Sequence, residues 1–358
     1  MKRVLIIDPY IDVLGGGERH ILSIAHVLQE EGYAITLAWK DSAVLSHITS
    51  RFGFKNITTE AHFYEKNSIA RLAYLRQFEF VFYVTDGSYF FSSAKKTCIF
   101  CMYPKKTIYQ RTLMNKLKWA PVSFVANSYF TKKYIDTWTK KKSHVIYPYI
   151  DEGKFELCGP QVQKEKIILS VGRFYSHLHS KNHGFIIKTF TSLQKKHPAF
   201  KSFKLYIVGG LKEEDRDYFN EVQEMASQNK SIHVIPNIPD RTLSDLYSKA
   251  MFYWHGAGYG VNIRRDFDKV EHFGITPVEA MAAGAIVCSH NSGGQKEVIT
   301  AGENGFLYDT PAQLISFTKK MYEDTDKRES VGTSAHQYAK KHFSYAAFKE
   351  NVLKVLGL

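Results

Sequence analysis

The residues whose types and spacing carry the most chemistry lie in the run Glu271-His-Phe-Gly-Ile-Thr-Pro-Val-Glu279-Ala-Met-Ala-Ala-Gly284. Thr276 is a good helix N-cap, Pro277 suits the first helical position and Glu279 falls three residues after the cap. A helix is therefore expected from Pro277 to near Gly284, with Ala280, Ala282 and Ala283 letting it pack closely. Gly274 and Ile275 precede the cap, so their amides join the free N–H groups of the first turn. Such a cluster is an anion site suited to a diphosphate. Glu271 lies just upstream, facing the same space. Thr276-x-x-Glu279 is also a capping box, which stabilises a helix start and binds nothing, so the segment alone leaves both readings open.

A second constellation is Val171-Gly172-Arg173-Phe174, followed by Lys181-Asn182-His183. A strand ending in Gly-Arg, then a loop, then a lysine at a helix start, sets two cations at the carboxyl edge of a sheet, where α/β domains bind ligands. Arginine forks onto phosphate oxygens and lysine adds a point charge. In isolation the two are also ordinary surface groups. His177, His179 and His183 have no carboxylate nearby and read as solvated loop histidines, so no metal site is expected.

These groups need elements to hold them. Apolar runs at Val4–Asp8, Ile35–Trp39, Phe78–Thr85, Thr97–Tyr103, Ser123–Asn127 and His144–Tyr147 read as strands separated by helical patterns. A helix from about Glu18 stops at Gly32. The pattern pauses over the polar stretch Asp151–Lys166. It restarts at Ile167–Val171, Leu205–Val208, His233–Ile235, Met251–Trp254, Ala285–Ser289 and Gly305–Tyr308. The expected fold class is α/β, with two doubly wound Rossmann-like domains over 1–155 and 156–340, an interdomain cleft, and a tail at 341–358.

Together the motifs resemble the retaining glycosyltransferases of family 4, which have the GT-B fold. The matching features are Gly15-Gly16-Gly17-Glu18, Gly172-Arg173…Lys181, Glu271-x7-Glu279 with its Ala-Met-Ala-Ala-Gly tail, Ser292-Gly293-Gly294 before Glu297, and Gly302-x-Asn304-Gly305-Phe306-Leu307. They span nearly the whole chain in family order. The resemblance implies a nucleotide-sugar donor as substrate, with no cofactor and no metal. It implies that Arg173 and Lys181 hold the diphosphate, Glu271 faces the sugar, and Glu279 binds the ribose hydroxyls. Amides at Gly274, Ile275 and Thr276 contact phosphate or sugar. Gly16 and Gly17 form a loop that closes on the phosphates, and Asn237 and Ile238 line the base pocket. The last helical stretch, about Tyr345–Leu356, is expected to cross back to the N-terminal domain as in relatives.

Two segments are similar to mannosyltransferases that extend dolichol-linked glycans. In Cys101-Met102-Tyr103-Pro104, Met102 replaces a histidine of their His-Tyr-Pro turn, which leaves Tyr103 as an acceptor-side candidate. Trp254-His255 and Glu271-His272-Phe273-Gly274-Ile275 also match, but the insert Gly256–Val270, with Arg264 and Arg265, separates them. It reads as a surface loop or as a source of phosphate contacts. His255 is set with the acceptor-side candidates. The same kinship tilts the donor toward GDP-mannose over a UDP-sugar.

The 358 residues carry a formal net charge of +13, which calls for an anionic partner or surface. Ten Lys or Arg fall between Pro104 and Lys142, with Asp136 the one acid. Leu113, Met114 and Leu117 share a helical face with Lys116 and Lys118 beside it, as in a helix lying on an anionic membrane. The alternative is a core-facing stripe with a basic rim. Nucleic acid is not expected, because no reading motif accompanies the charge. The N-terminus lacks a signal-like apolar region and no run of about 18 apolar residues occurs. The expected setting is cytoplasmic, peripheral on the inner face of a membrane, with a saccharide or lipid-linked acceptor. Cys98, Cys101, Cys158 and Cys288 suit a reducing compartment, and Cys98 and Cys101 read as core residues on opposite faces of a strand. The competing functions are a nucleotide-sugar epimerase on the same fold and a catalytically inactive partner subunit. An NAD-binding Rossmann protein is disfavoured, since Gly15-Gly16-Gly17 does not match Gly-x-Gly-x-x-Gly.

Overall fold

The computed structural model describes residues 2–358 except 62, 65, 153–161 and 177–179. The chain divides into two compact units, one of residues 1–148 with 348–358 and one of residues 149–347.

In the first unit, β1 (Arg3–Ile7), β2 (Ala34–Leu37), β3 (Ile57–Thr59), β4 (Phe80–Val84), β5 (Lys96–Cys101), β6 (Val122–Ala126) and β7 (His144–Val145) form a seven-stranded sheet. Its order is β3-β2-β1-β4-β5-β6-β7, parallel throughout. The second unit holds β8 (Glu165–Val171), β9 (Lys204–Gly209), β10 (Ile232–Pro236), β11 (Ala250–His255), β12 (Ile286–His290) and β13 (Phe306–Tyr308). They pair in parallel in the order β10-β9-β8-β11-β12-β13. A parallel sheet is covered on both faces, so its strands must be apolar at nearly every position. Val4, Leu5 and Ile6 are fully buried, and every residue of β11 from Ala250 to His255 is buried. Cys98 and Cys101 are buried in β5, and burial pushes both thiols up to about 12, so they are uncharged packing groups. Cys158 lies outside the described residues.

In each sheet the strand order reverses once, between β1 and β4 and between β8 and β11. Connections leave such a pair on opposite faces, which opens a crevice at the carboxyl ends of the two strands. Arg173 follows β8, and His255 ends β11.

Helix ends follow local chemistry. The helix Gly16–Glu30 starts two residues earlier than expected, because the Glu18 carboxylate accepts the Gly15 N–H at 2.6 Å and closes the first turn. The helix Ile275–Ala282 stops at Gly284, whose φ is +74°. The Ala285 N–H donates to the Ala280 carbonyl at 3.0 Å and the Gly284 N–H to Met281 at 2.9 Å. This closing turn needs a left-handed residue, which glycine supplies at least cost.

The last helix, Tyr345–Leu356, ties into the first unit. Asn351 donates to the Val145 carbonyl at 3.0 Å, Lys96 donates to Leu356 at 3.0 Å, and Lys349 pairs with Glu30 and Glu31 at 3.0 and 2.9 Å.

The basic stretch of the first unit does two jobs. Lys132 holds Asp136 at 2.6 Å, Lys118 donates to the Tyr89 carbonyl at 2.5 Å, and Lys141 donates to Trp119 and Val122 at 2.5 and 2.8 Å. Lys105, Lys106, Arg111, Lys116, Lys133, Lys140 and Lys142 are exposed or nearly so. The helix Leu113–Trp119 buries Trp119 against Tyr89 and Phe124. Leu113, Met114 and Leu117 are 76%, 51% and 54% exposed. The alternative of a core-facing stripe is therefore corrected: these three side chains are not in the core. Among the described residues, no helix is long and apolar enough to cross a membrane.

Candidate functional site

The site is built at the crevice between β8 and β11. Arg173, directly after β8, is exposed, with its guanidinium 5.5 Å from the Tyr175 ring centre. Phe174 behind it is fully buried, and its N–H donates to the Gly210 carbonyl at 2.9 Å, which fixes the backbone that presents the arginine. Lys181 lies two residues before the helix His183–Lys196 and lays its aliphatic stem against Gly172. Its ammonium bonds Glu271 Oε2. His255 Nε2 lies 3.1 Å from that same oxygen.

Burial works against the charge on Glu271, but the Lys181 ammonium and the His255 hydrogen bond overcome it and hold the carboxyl well below the usual carboxylate range. Burial pushes His255 below its ordinary value, outweighing the pull of Glu271, so the imidazole is neutral at neutral pH. A neutral imidazole beside a carboxylate keeps its proton on the nitrogen that faces the oxygen. His255 was set with the acceptor from sequence. It lies in the second unit and touches the candidate sugar-facing glutamate.

The helix after Glu271 starts differently from the sequence expectation. Gly274, at φ +82°, is the N-cap, the helix begins at Ile275, and no side chain caps it. Thr276 is not a cap: its Oγ1 lies 2.8 Å from the Tyr253 hydroxyl and 3.3 Å from the Val171 carbonyl. The two contacts pin the helix to the tip of β8 and to β11. Glu279 is likewise not part of a capping box, since its carboxylate accepts from the Tyr247 hydroxyl at 2.8 Å. The buried tyrosines supply partners that local sequence does not reveal, and a left-handed glycine takes the turn. A Cβ at Gly274 would fall 2.8 Å from Glu271 Cγ and would collide with the Gln295 amide. The Ser292–Gln295 segment braces this stretch from behind. The Gly294 N–H donates to the Glu271 carbonyl at 2.9 Å, and Gln295 Nε2 donates to the Phe273 carbonyl at 2.5 Å. Gln295 was not singled out in the sequence, since a buried bracing amide leaves no local signal.

Asn237 follows β10, with φ +51°. Its side chain pairs with both backbone groups of Leu211, at 2.9 and 3.1 Å, so it ties the loops after β9 and β10 together. Ile238 beside it is half-buried. The insert Gly256–Val270 is anchored at its start. Asn182 donates to the carbonyls of Gly256 and Tyr259 at 2.9 and 3.1 Å, and Tyr259 stacks on Phe185 at 3.9 Å. Arg264 is exposed, and Arg265 pairs with Asp266 at 3.1 Å. In the first unit, Gly16 and Gly17 open the helix after β1. A Cβ on Gly17 would lie 2.5 Å from Met102 Sδ, so the residue before Tyr103 packs on that glycine. Tyr103 is half-buried after β5.

Among the described residues, no group of three or more His, Cys, Asp or Glu is arranged to hold a metal ion. His177 and His179 lie outside the described residues. His183 is not a solvated loop histidine: it is fully buried, 3.1 Å from the Tyr218 hydroxyl, and burial lowers it to about 3.

A GDP-Man:Man(3)GlcNAc(2)-PP-Dol alpha-1,2-mannosyltransferase of Dictyostelium discoideum is 28% identical over 248 residues, 65% of this chain and 46% of that protein. The chain thus spans about half the length of that relative. The alpha-1,3/1,6-mannosyltransferase ALG2 of Mus musculus is 23% identical over 288 residues, 72% of this chain and 67% of that protein. The solved structure of Anabaena HepE in complex with UDP and glucose matches with a TM-score of 0.69 at 14% identity, covering 100% of both chains. That likeness shows the fold, the two-domain α/β arrangement called GT-B. Residues 159–338, half of the sequence and the part that holds Arg173, Lys181, His255, Glu271 and Glu279, match the family model described as glycosyl transferases group 1, and the chain belongs to that family.

Proposed function

We propose that the chain moves a hexose from a nucleotide-sugar donor to a saccharide or lipid-linked acceptor, with retention of anomeric configuration. The observation that carries this reading is the convergence of Lys181, Glu271 and an uncapped helix N-terminus at the crevice where Arg173 leaves β8. When the bond between the anomeric carbon and the phosphate oxygen breaks, negative charge grows on the departing diphosphate. Arg173 offers a planar fork for it, and the amides of Ile275 and Thr276 point along the helix axis toward it. Lys181 keeps N–H donors beyond the one on Glu271. Fixed donors of this kind stabilise charge without reorganising, and they supply what a metal supplies elsewhere. The acceptor oxygen bonds to the anomeric carbon, its proton passes to a leaving phosphate oxygen, and the products are a glycoside and a nucleoside diphosphate. Glu271, ionised, faces the sugar. Glu279, oriented by Tyr247, takes the ribose hydroxyls, and Asn237 and Ile238 border the base.

Both named relatives are mannosyltransferases, and one carries GDP-Man in its name, which supports GDP-mannose as the first donor to try. The exposed Leu113, Met114 and Leu117 among exposed lysines support docking on an anionic membrane, where a lipid-linked acceptor would lie. Each basic residue near such a surface adds roughly 1 kcal/mol. Calorimetric titration of UDP and GDP tests the donor site. One of them binds, and Arg173→Ala weakens it about tenfold or more. Equal binding by Arg173→Ala, or none by wild type, contradicts the assignment.

A further inference from the structure

Glu271 is held by two donors from two different elements, and both meet the same oxygen. Lys181, ahead of the helix His183–Lys196, bonds Oε2, and His255, at the end of β11, meets Oε2 at 3.1 Å. Oε1 is engaged by neither. The backbone of Glu271 is fixed as well, by the Gly294 N–H on its carbonyl. His255 is 1% exposed and therefore cannot trade Glu271 for water, and its own carbonyl is held by the Tyr308 hydroxyl at 2.8 Å. A charged donor at position 255 would add a second buried cation beside Lys181. A neutral imidazole instead adds direction without charge, and the Lys181–Glu271 pair stays balanced. A lysine alone orients a carboxylate poorly, because its ammonium rotates on a flexible stem.

Resting on the donor-site reading above, we propose that His255 is a positioning residue. Its Nε2–H locks Oε2 of Glu271 and so aims Oε1 at a hydroxyl of the donor sugar. His255 and Glu271 flank the insert Gly256–Val270, so their hydrogen bond also closes the base of that loop. The locking hydrogen bond thereby makes the loop's ends part of the sugar side of the site.

The test compares His255→Gln, which keeps an N–H near the Nε2 position, with His255→Phe, which fills the space without a donor. Turnover is measured with whichever of UDP-glucose and GDP-mannose the wild type uses, and inhibition with UDP or GDP. His255→Phe is expected to lower kcat about 10- to 100-fold, the loss that goes with a hydrogen bond to a charged group. The inhibition constant of the nucleoside diphosphate should stay within about twofold, because the diphosphate contacts are elsewhere. His255→Gln should recover most of the loss.

The pH profile gives a readout that simple loss of packing would not move. The groups around the pair are Lys181, His183, Tyr253 and His290, and of these Lys181 is the cation that acts on Glu271. Losing the His255 N–H makes Glu271 easier to protonate, so the acid limb of kcat moves to higher pH in His255→Phe and not in His255→Gln. Equal kcat and an unmoved acid limb in His255→Phe overturn the proposal. So does a His255→Gln variant as impaired as His255→Phe, or nucleoside diphosphate binding that falls in step with kcat. A wild type that neither binds UDP or GDP nor turns over a donor fails differently: it removes the donor site itself, and the positioning role with it.

Discussion

Asp8, at the end of β1, is fully buried. One carboxylate oxygen accepts the Tyr10 N–H at 2.9 Å, and the other meets no hydrogen-bond partner among the described residues. Burial raises the group from its ordinary 3.8 to about 7; the Tyr10 hydrogen bond opposes this, while Glu18 and Asp12 add to it. An acid whose folded value is raised prefers its protonated form in the folded state. Between about pH 4 and pH 7 the unfolded chain releases this proton while the folded chain keeps it, so stability falls as pH rises through that window. A tenfold change in proton affinity is worth about 1.4 kcal/mol, so the ionisable carboxyl costs about 4 kcal/mol at pH 8 and under about 1 kcal/mol at pH 4. Asp8→Asn removes the titration. Its stability relative to wild type should therefore rise with pH by about 3 kcal/mol between pH 4 and pH 8. The assay is the free energy of opening of the β1 amides, from hydrogen exchange corrected for intrinsic rates at each pH. Comparing the two pH values cancels whatever the amide itself costs in packing. A difference between variant and wild type that does not change with pH would refute the reasoning. A difference of opposite slope would show that ionised Asp8 is well partnered.

Replacing Leu113 and Leu117 together by Asp should abolish pelleting with vesicles containing about a third anionic lipid, and salt should weaken the wild type; unchanged pelleting would remove the membrane face. Gly284→Ala places a Cβ at φ +74° and should cost about 1–2 kcal/mol in urea unfolding. Tyr247→Phe takes the 2.8 Å donor from Glu279 and should raise donor KM several-fold with kcat unchanged, the mark of uniform binding.

Twelve strands were legible because a parallel strand buried on both faces leaves an apolar run. The strand missed was β3, three residues of Ile-Thr-Thr on the sheet edge, too short and too polar to stand out. Glu271, Glu279, Arg173 and Lys181 were legible as motif residues. The partners that hold them were not. His255 meets Glu271 only after β11 and a 15-residue insert bring them together, and Tyr247 and Tyr253 look like core aromatics in the sequence. The capping-box expectation failed for the same reason: Thr276 and Glu279 have the right spacing, but tertiary partners claim both side chains. The basic run was read as one surface, yet Lys118, Lys132 and Lys141 spend their charge on carbonyls and on Asp136.

The most direct measurement is nucleoside diphosphate release from UDP-, GDP-, ADP- and dTDP-sugars, with anionic vesicles and a lipid-linked acceptor present, for wild type and Glu271→Ala. Turnover of one donor by the wild type, lost in Glu271→Ala, is the predicted result. Release from no donor, or equal release by Glu271→Ala, would contradict a donor site centred on Glu271.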